Sequence, residues 1–338
     1  MKFIKYSIIA VLMIWSSYAY AQLSIQGKLR TLRPVILQVA DLNGNVLLKT
    51  NVANGTDFKS AQVEIATDLY RLKLGDFETE MILANGPVTI KGFLDDRNPG
   101  RNTLSFSGTE QNDKFVQLSA AFKESRDAGT LKEGTLDSEV APEVIAAVVY
   151  KASDILGYEI DAFRDALSLI PEAHRSSQIV VRLIEEIKKR EIYAVGAKAY
   201  PFNYPDPSGK MRSLNEFRGK LLLLDFWASW CGPCKNEMKN LVPIYEEFKD
   251  VIEFVSISLD DKHKNWIRVV EEDAHPWVML WNGEGFSYDR GKPNEMQANY
   301  GFYSIPFIML IDAEGRILAR GIRGEQVREE IIKAKGNK

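Results

Sequence analysis

The feature that most constrains the fold is the stretch formed by residues 221–235. It opens with an apolar run, residues 221–226, and continues through small residues to a Cys-Gly-Pro-Cys sequence with the only two cysteines of the chain, Cys231 and Cys234. A short run this apolar predicts a buried strand of a parallel sheet. The Gly-Pro pair and the charged, amphipathic residues beyond it predict a helix. Cys231 therefore lies at the predicted start of a helix, and Cys234 lies one turn inside it.

The position of Cys231 has chemical consequences. The N–H groups of the first turn and the positive end of the helix dipole favour an anion, so a thiol at this place loses its proton readily. We therefore expect Cys231 to be the nucleophile, with Gly232 letting the backbone bend close to the sulfur and Pro233 tolerated in the first turn. The spacing lets Cys231 and Cys234 close a small disulfide ring and reopen it, which suits a redox cycle.

Two other uses of the cysteines fit the sequence less well. A zinc site would need four ligands, whereas the chain has two cysteines and three histidines without a second pair at ligand spacing: His174, His263 and His275. A purely structural disulfide would close a loop of four residues and so would constrain the unfolded chain very little. We therefore expect no metal and no cofactor besides the redox-active disulfide itself.

Residues 225–235 resemble the active-site segment of the thioredoxin superfamily, and residues 196–338 are similar to the TlpA/ResA-type envelope thiol-disulfide oxidoreductases. This resemblance implies an α/β thioredoxin-like domain with a central mixed sheet flanked by helices. It also implies that Cys231 attacks the disulfide of a target protein and that Cys234 resolves the mixed disulfide. The expected direction is reduction, with a membrane-embedded electron donor and substrates such as apocytochrome c.

Two carboxylates match residues that carry protons in the proteins that this chain resembles. Asp225 matches the buried aspartate of cytosolic thioredoxins, and Glu237 matches a glutamate three residues after the second cysteine of the envelope proteins. Either could accept the proton of Cys234. Burial in the apolar strand is expected to raise the pKa of Asp225. The alternatives are that Asp225 is a hydrogen-bonded core residue without a chemical role and that Glu237 is an ordinary surface residue of a helix.

The resemblance also assigns a substrate-binding loop. Residues 303–311 match the segment that contains a cis-proline opposite the cysteines, which makes Pro306 the candidate. In that family the backbone before the proline pairs with the extended substrate. The expected substrate-binding residues are therefore Trp230, Gly232, Pro233, Ile305 and Pro306. One departure concerns the helix after the cysteines, where the usual proline is replaced by Lys239 and Pro243 follows one turn later. We expect the helix to bend at a different place.

The first 21 residues are typical of a signal peptide. Lys2 and Lys5 precede the apolar run of residues 8–15, and Ala19-Tyr20-Ala21 is a small-x-small cleavage site. The alternative is an uncleaved membrane anchor, although the apolar run is short for one. We expect export to the periplasm or cell envelope. The formal net charge of −3 and the lack of a basic patch argue against nucleic acid as a partner.

Residues 22–110 are predicted to form a small all-β, sandwich-like domain. Short runs with strand character, separated by turn signals such as Asn43-Gly44, occur at residues 35–40, 46–50, 61–67, 69–74 and 88–94. The region resembles an all-β domain of unknown function that precedes thioredoxin-like domains in envelope proteins. It holds no catalytic constellation, and Asp95 and Asp96 are expected to be solvated loop residues rather than part of a metal site, since no further carboxylates cluster nearby. We expect a binding or homodimerising role.

Residues 111–195 change to a helical period, with apolar residues at helical spacing from 145 to Pro171 and again over residues 179–187. They predict a helical connecting segment, after which residues 196–338 form the thioredoxin-like domain. Within that domain, the loop of residues 283–293 is expected either to cover the active site or to be a mobile surface loop.

The sequence thus predicts an envelope thiol-disulfide oxidoreductase that acts as a reductant on disulfide-containing proteins. Two other functions stay open. One is a redox-linked binding or scaffold protein in which the first 195 residues dominate, and the other is a peroxide reductase, for which no separate peroxidatic cysteine is evident.

Overall fold

The computed structural model of the protein describes residues 22–125, 136, 139–153 and 160–336. The predicted signal peptide lies outside the described residues. Within the described ranges, no helix has the length and apolar character needed to cross a bilayer. The chain divides into two compact units, of which the first comprises Met1–Lys151 with Leu169–Val181, and the second Ala152–Ser168 with Arg182–Lys338, each limited here to its described part.

The first unit is built mainly from two four-stranded sheets. One sheet has the order β4-β1-β7-β8, with β1 parallel to β7, and the other has the antiparallel order β3-β2-β5-β6. Their apolar side chains share one hydrophobic core, as the predicted sandwich requires. The strands are β1 (Ser24–Thr31), β2 (Val35–Ala40), β3 (Val46–Val52), β4 (Asp57–Lys59), β5 (Asp68–Leu74), β6 (Phe77–Leu83), β7 (Pro87–Leu94) and β8 (Ser105–Ser107).

Four of the five predicted strands are confirmed in this unit, but the strand predicted at residues 61–67 is wrong. Only Val63 pairs there, in an isolated bridge with Leu23. The apolar alternation that suggested a strand is real, since Ile65 is buried. However, the N–H of Ile65 donates to the side-chain oxygen of Asn85 at 2.9 Å and not to a neighbouring strand. The β2–β3 hairpin at Asn43-Gly44 is confirmed, with Gly44 at a φ of 90°.

The expectation that Asp95 and Asp96 are solvated loop residues is wrong, because both side chains are buried. The carboxylate of Asp96 accepts hydrogen bonds from the guanidinium of Arg33 at 2.5 Å and from the N–H of Asp76 at 3.1 Å. These partners replace the water that a loop carboxylate would otherwise bind.

Helices cover one face of the second sheet of this unit. Helix α1 (Glu110–Ser125) packs against β6, and helix α2 (Pro142–Lys151) packs against β5. Because both faces of β5 are therefore covered, Leu69 is buried as well as the alternate residues Tyr70, Leu72 and Leu74.

The predicted helical segment contributes to both units. Its other helices are α3 (Asp161–Ser168) and α4 (Gln178–Glu191), so the continuous pattern up to Pro171 corresponds to two separate helices, α2 and α3. Residues 154–159 lie outside the described part of the chain. The N-terminus of α4 is capped by Asp68, whose carboxylate accepts hydrogen bonds from the N–H groups of Gln178 and Ile179 at 2.6 and 3.1 Å.

The second unit contains a five-stranded mixed sheet of order β13-β12-β11-β14-β15, which confirms the thioredoxin-like fold class. The central strand β11 runs parallel to β12 and antiparallel to β14. The second unit has a small hairpin formed by β9 (Asn203–Pro205) and β10 (Met211–Ser213). The strands of its main sheet are β11 (Leu221–Trp227), β12 (Ile252–Ser258), β13 (Val278–Trp281), β14 (Phe307–Ile311) and β15 (Ile317–Ile322). The remaining helices are α5 (Gly232–Phe248), α6 (His263–Asp273), α7 (Glu295–Tyr300) and α8 (Glu325–Gly336).

All seven residues of β11 are buried, because both faces of the sheet are covered. Leu221, Leu223 and Trp227 belong to a core cluster that also contains residues of α5 and α8. The alternate residues Leu222, Leu224 and Phe226 belong to a second cluster. The two-residue period of a strand therefore places Asp225 on the same face as Leu223 and Trp227, the face toward α5. This position brings a carboxyl group to the side of the sheet that carries the cysteines.

Helix α5 continues through Pro243, which lies inside it. Because proline has no N–H, the carbonyl group of Lys239 lacks its usual helical partner. The missing helical hydrogen bond is therefore at Lys239, the position at which the proteins that this sequence resembles usually have a proline.

Candidate active site

Cys231 and Cys234 form a disulfide at the beginning of α5. Cys231 is the N-cap residue, and its Sγ accepts a hydrogen bond of 3.2 Å from the backbone N–H of Cys234. Cys231 is 5% exposed and Cys234 is completely buried. The sulfur at the helix N-terminus is thus the one that a partner can reach, and the same N–H would stabilise negative charge on it after reduction.

The loop before β14 faces the accessible sulfur. The Ile305–Pro306 peptide bond is cis, as expected. The Sγ of Cys231 lies 3.8 Å from the carbonyl oxygen of Ile305. The carbonyl oxygen of Pro306 accepts a hydrogen bond of 2.7 Å from Arg323, which ties the loop to the end of β15. A main-chain acceptor is therefore held beside the reactive sulfur.

The other three residues expected to bind substrate lie on the surface around Cys231. Gly232 and Pro233 are exposed in the first turn of α5, and the indole of Trp230 is 48% exposed. Of the other two expected residues, Ile305 is partly buried and faces the Sγ of Cys231 through its carbonyl oxygen, whereas Pro306 is buried behind it.

Asp225 is buried beneath this surface. Its carboxylate accepts a hydrogen bond of 3.0 Å from the hydroxyl of Ser256 on β12, and Ser256 in turn accepts one of 2.9 Å from the indole N–H of Trp277. Burial raises the pKa of Asp225 to about 7, opposed by the Ser256 hydrogen bond and assisted by the negative charge of Glu237. A carboxyl group with this pKa exchanges its proton near neutral pH.

Glu237 is largely buried, and both of its oxygens are engaged. Oε1 accepts a hydrogen bond of 2.5 Å from the N–H of Gly324, just before α8, and Oε2 accepts one of 3.3 Å from the side chain of Asn240. The alternative that Glu237 is an ordinary surface residue of a helix is therefore wrong, because this side chain is buried and joins α5 to the beginning of α8.

The sequence reasoning missed Asp260, a completely buried carboxylate just after β12. It accepts hydrogen bonds from the N–H and the hydroxyl of Ser229, at 2.8 and 2.6 Å, and from the hydroxyl of Ser258 at 2.6 Å. It thus fixes the backbone two residues before Cys231. The pattern Ser-x-Asp after a buried strand was a usable signal, since such a side chain often bonds to nearby backbone.

The sequence reasoning also left open the role of the loop after β13. In the structure this loop contacts the active-site surface, since the rings of Phe286 and Tyr288 lie 6.0 and 5.9 Å from the ring of Trp230. The loop therefore flanks the site and leaves Cys231 accessible.

Across the described residues, no group of three or more His, Cys, Asp or Glu side chains is arranged to hold a metal ion. His174 instead contacts Glu143 in the first unit, His263 packs against Trp266 and Trp281, and His275 stacks on Trp277.

A Ser256→Ala substitution is expected to raise the pKa of Asp225 further, by about one unit. The reason is that hydrogen bonds to charged groups contribute about 1.5–3 kcal/mol, while one pKa unit corresponds to about 1.4 kcal/mol. Titration of the Asp225 carboxyl carbon by NMR measures the shift. Ser258→Ala is the matched control, because Ser258 lies on the same strand but donates to Asp260. An unchanged titration midpoint in Ser256→Ala would contradict the assigned hydrogen bond.

Comparison with known proteins agrees with this geometry. Residues 219–317 match a protein family described as thioredoxin-like. The thiol-disulfide oxidoreductase ResA of Bacillus thuringiensis subsp. konkukian (strain 97-27) is 30% identical over 147 residues, which cover 42% of this chain and 78% of the relative. The thioredoxin-like protein YneN of Bacillus subtilis (strain 168) is 32% identical over 139 residues, covering 40% and 76%.

Among solved structures, the thioredoxin domain of a thiol-disulfide oxidoreductase from Bacteroides vulgatus is 30% identical. The match covers 41% of this chain and 96% of that domain, with a TM-score of 0.37. The sequence identity to ResA extends over more than three quarters of that relative, and the cysteine pair lies within the matched family segment. The chain therefore belongs to the ResA-like thiol-disulfide oxidoreductases and is an enzyme with a thioredoxin-like domain.

Proposed function

We propose that this enzyme is a reductant of protein disulfides. The thiolate of reduced Cys231 attacks one sulfur of the target disulfide, forming a mixed disulfide and releasing the other target sulfur as a thiolate that takes up a proton. Cys234 then loses its proton and attacks the Sγ of Cys231. The target leaves with two thiols, and the enzyme keeps the Cys231–Cys234 disulfide.

The observation that carries the disulfide-exchange part of this proposal is the asymmetry of the pair, and the direction of the reaction rests on the resemblance to the TlpA/ResA-type proteins. Cys231 is the helix N-cap and faces the carbonyl of Ile305, whereas Cys234 is completely buried behind it. Only Cys231 can meet a large substrate, and only Cys234 is placed to displace that substrate from it. This division of labour is what a cycle through a mixed disulfide needs.

Asp225 is the proposed acceptor of the proton of Cys234. It lies on the face of β11 toward α5, and its pKa of about 7 leaves it partly ionised near neutral pH. Glu237 is instead proposed as a positioning residue, because its two oxygens already bind Gly324 and Asn240. Its negative charge contributes to the raised pKa of Asp225.

The substrate is proposed to bind as an extended chain. The carbonyl of Ile305 lies beside Cys231, so a substrate backbone N–H could pair with it while its disulfide meets the sulfur. Main-chain pairing accepts varied sequences, which suits an enzyme with several protein substrates. Trp230, Gly232 and Pro233 would supply the exposed contact surface, and the buried Pro306 would hold the loop that presents Ile305.

The proposed location is the cell envelope, supported by the signal-peptide pattern of residues 1–21. Each turnover consumes two electrons, so a dithiol donor must reduce the Cys231–Cys234 disulfide again. A membrane-embedded donor and substrates such as apocytochrome c follow from the resemblance to the TlpA/ResA-type proteins and belong to the same proposal.

The reduction potential of the full-length protein tests the direction of the reaction. Equilibration with thiol buffers should give a potential nearer to the value of about −270 mV known for a reducing thioredoxin than to about −120 mV for a strong oxidant. A potential at the oxidising end would overturn the reductant role. In parallel, a Cys234→Ala variant should accumulate mixed disulfides with its protein substrates on Cys231, and the double variant with Cys231→Ser should accumulate none.

A further inference from the structure

An exposed aromatic cluster adjoins the active site. The ring centroids of Trp230 lie 6.0 Å from Phe286 and 5.9 Å from Tyr288, and those of Phe286 and Tyr288 lie 5.1 Å apart. Trp230 directly precedes Cys231 in the chain. We call Trp230, Phe286 and Tyr288 the aromatic cluster.

The loop that supplies two members of this cluster is held in place by specific hydrogen bonds. Ser287 lies between Phe286 and Tyr288, and its N–H donates to the side-chain oxygen of Gln297 at 2.7 Å. The side-chain amide of Gln297 donates back to the carbonyl of Ser287 at 3.0 Å. Because Gln297 is completely buried on α7, both backbone groups between the two rings are fixed to the body of the unit.

The aromatic cluster adjoins the proposed substrate-binding loop through Cys231, which follows Trp230 in the chain and lies beside Ile305. Phe286 packs against the same hydrophobic core as Ile305, and the carbonyl of Ile305 lies beside the Sγ of Cys231. An extended chain that pairs with Ile305 would therefore have the aromatic cluster within reach of its side chains.

The three rings of the aromatic cluster differ in how much of their surface is exposed to solvent. Phe286 is partly buried and serves as the base, whereas Trp230 is 48% exposed and Tyr288 is 77% exposed. A ring as exposed as that of Tyr288 gains little for folding from its position, because most of its surface stays in water. Exposed aromatic side chains held rigidly beside a functional site are typical of recognition surfaces.

We infer that the aromatic cluster is a docking surface for an extended polypeptide whose disulfide is flanked by an aromatic or large aliphatic side chain. That side chain packs on the rings of Trp230 and Tyr288 while the backbone pairs at Ile305. This inference rests on the proposed function, since it names the kind of protein disulfide that the enzyme prefers. The occupant is an apolar side chain because the three members of the cluster present uncharged rings to solvent.

Two synthetic disulfide peptides test the inference with the reduced full-length protein. They differ only in a Phe or a Ser two residues from the attacked cysteine, and the measured quantity is the ratio of their kcat/KM values. We expect the wild-type protein to favour the Phe peptide by about tenfold, as a well-packed aromatic contact allows. A Tyr288→Ser variant should lower the ratio to about twofold or less, and Tyr288→Phe should restore it.

An exposed apolar residue elsewhere in the same unit supplies the matched control. Ile332 on α8 is 54% exposed, and Ile332→Ser should leave the ratio as in the wild type. If the wild-type protein reduced both peptides at equal rates, or if Tyr288→Ser kept the preference, the docking surface would be refuted and the reductant role would stand. If the reduced protein acted on neither peptide, the proposed function itself would fail.

Discussion

A Cys231→Ser variant is expected to reduce protein disulfides at least about 10³-fold more slowly than the wild-type enzyme. The nucleophile in this chemistry is a thiolate, and a serine hydroxyl is not ionised near neutral pH. The helix N-terminus and the N–H of Cys234 would stabilise the anion of a thiol at this position, but they cannot make a hydroxyl nucleophilic. Stopped-flow measurement of the reduction of a disulfide peptide by the pre-reduced protein gives the rate.

The matched control is Cys234→Ser, which keeps the nucleophile and removes the resolving group. A single encounter with excess peptide should then yield one mixed disulfide per enzyme, formed at a rate within about tenfold of the first step of the wild type. Both variants should stay folded, because the lost ring is short and constrains the unfolded chain little. Retention of more than a tenth of the wild-type rate by Cys231→Ser would show that Cys231 is not the nucleophile.

The parts of the fold that the sequence predicted well are those in which local pattern and tertiary environment agree. Residues 221–226 are apolar at nearly every position because both faces of β11 are covered. A short run of this kind is typical of a strand that is buried on both faces of a sheet. The Gly-Pro pair and the placement of Cys231 then follow from the chemistry of a helix start. The hairpin at Asn43-Gly44 was predictable because both of its turn residues tolerate a positive φ.

Strands without a clear apolar alternation were harder to predict. Strand β1 contains Gly27, Lys28 and Arg30 and gains its partners from far along the chain, since it pairs in parallel with β7. Strand β6 begins with Phe-Glu-Thr-Glu, in which three of the four residues are polar. Such segments form strands because they pack against neighbouring strands, and not because their own residues strongly favour an extended backbone. Conversely, residues 61–67 alternate like a strand but pair only at Val63, in an isolated bridge with Leu23.

The supporting residues of the site were hidden for a related reason. Asp260 meets Ser229, and Ser256 meets Asp225, each across 31 positions of sequence. Each contact exists because β11 and β12 are parallel neighbours with a particular register, in which Asp225 pairs with Ser256. A register of this kind is set by the whole sheet, so sequence reasoning could place the cysteines but not the groups that hold and tune them.

An Asp225→Asn variant is expected to be more stable than the wild type at pH 8 by about 2–4 kcal/mol, and yet to resolve its mixed disulfide more slowly. Burial raises the pKa of Asp225 from 3.8 to about 7 in the folded protein, so the folded state binds this proton more tightly than the unfolded state does. Well below pH 4 both states are protonated, and ionisation of this group then costs no stability. As the pH rises from about 4 to about 7, ionisation in the unfolded state lowers the stability of the wild type, by about 1.4 kcal/mol per unit. Asparagine does not ionise, so the advantage of the variant should grow over this pH range and then level off.

The rate at which Cys234 resolves the mixed disulfide should fall in this variant, because asparagine cannot accept the proton of Cys234. Removal of a general base costs about 10²-fold or more, and the rise of the resolution rate with pH around the pKa of Asp225 should disappear. Denaturant unfolding between pH 4 and pH 8 and rapid-quench resolution of a preformed mixed disulfide measure the two effects. Glu237→Gln is the control, because its side chain can still accept the hydrogen bond from Gly324, and it should keep the resolution rate within about threefold of the wild type if Glu237 only positions. If Glu237→Gln lost the rate while Asp225→Asn kept the wild-type pH profile, the proton of Cys234 would pass to Glu237 and the assignment made to Asp225 would be wrong.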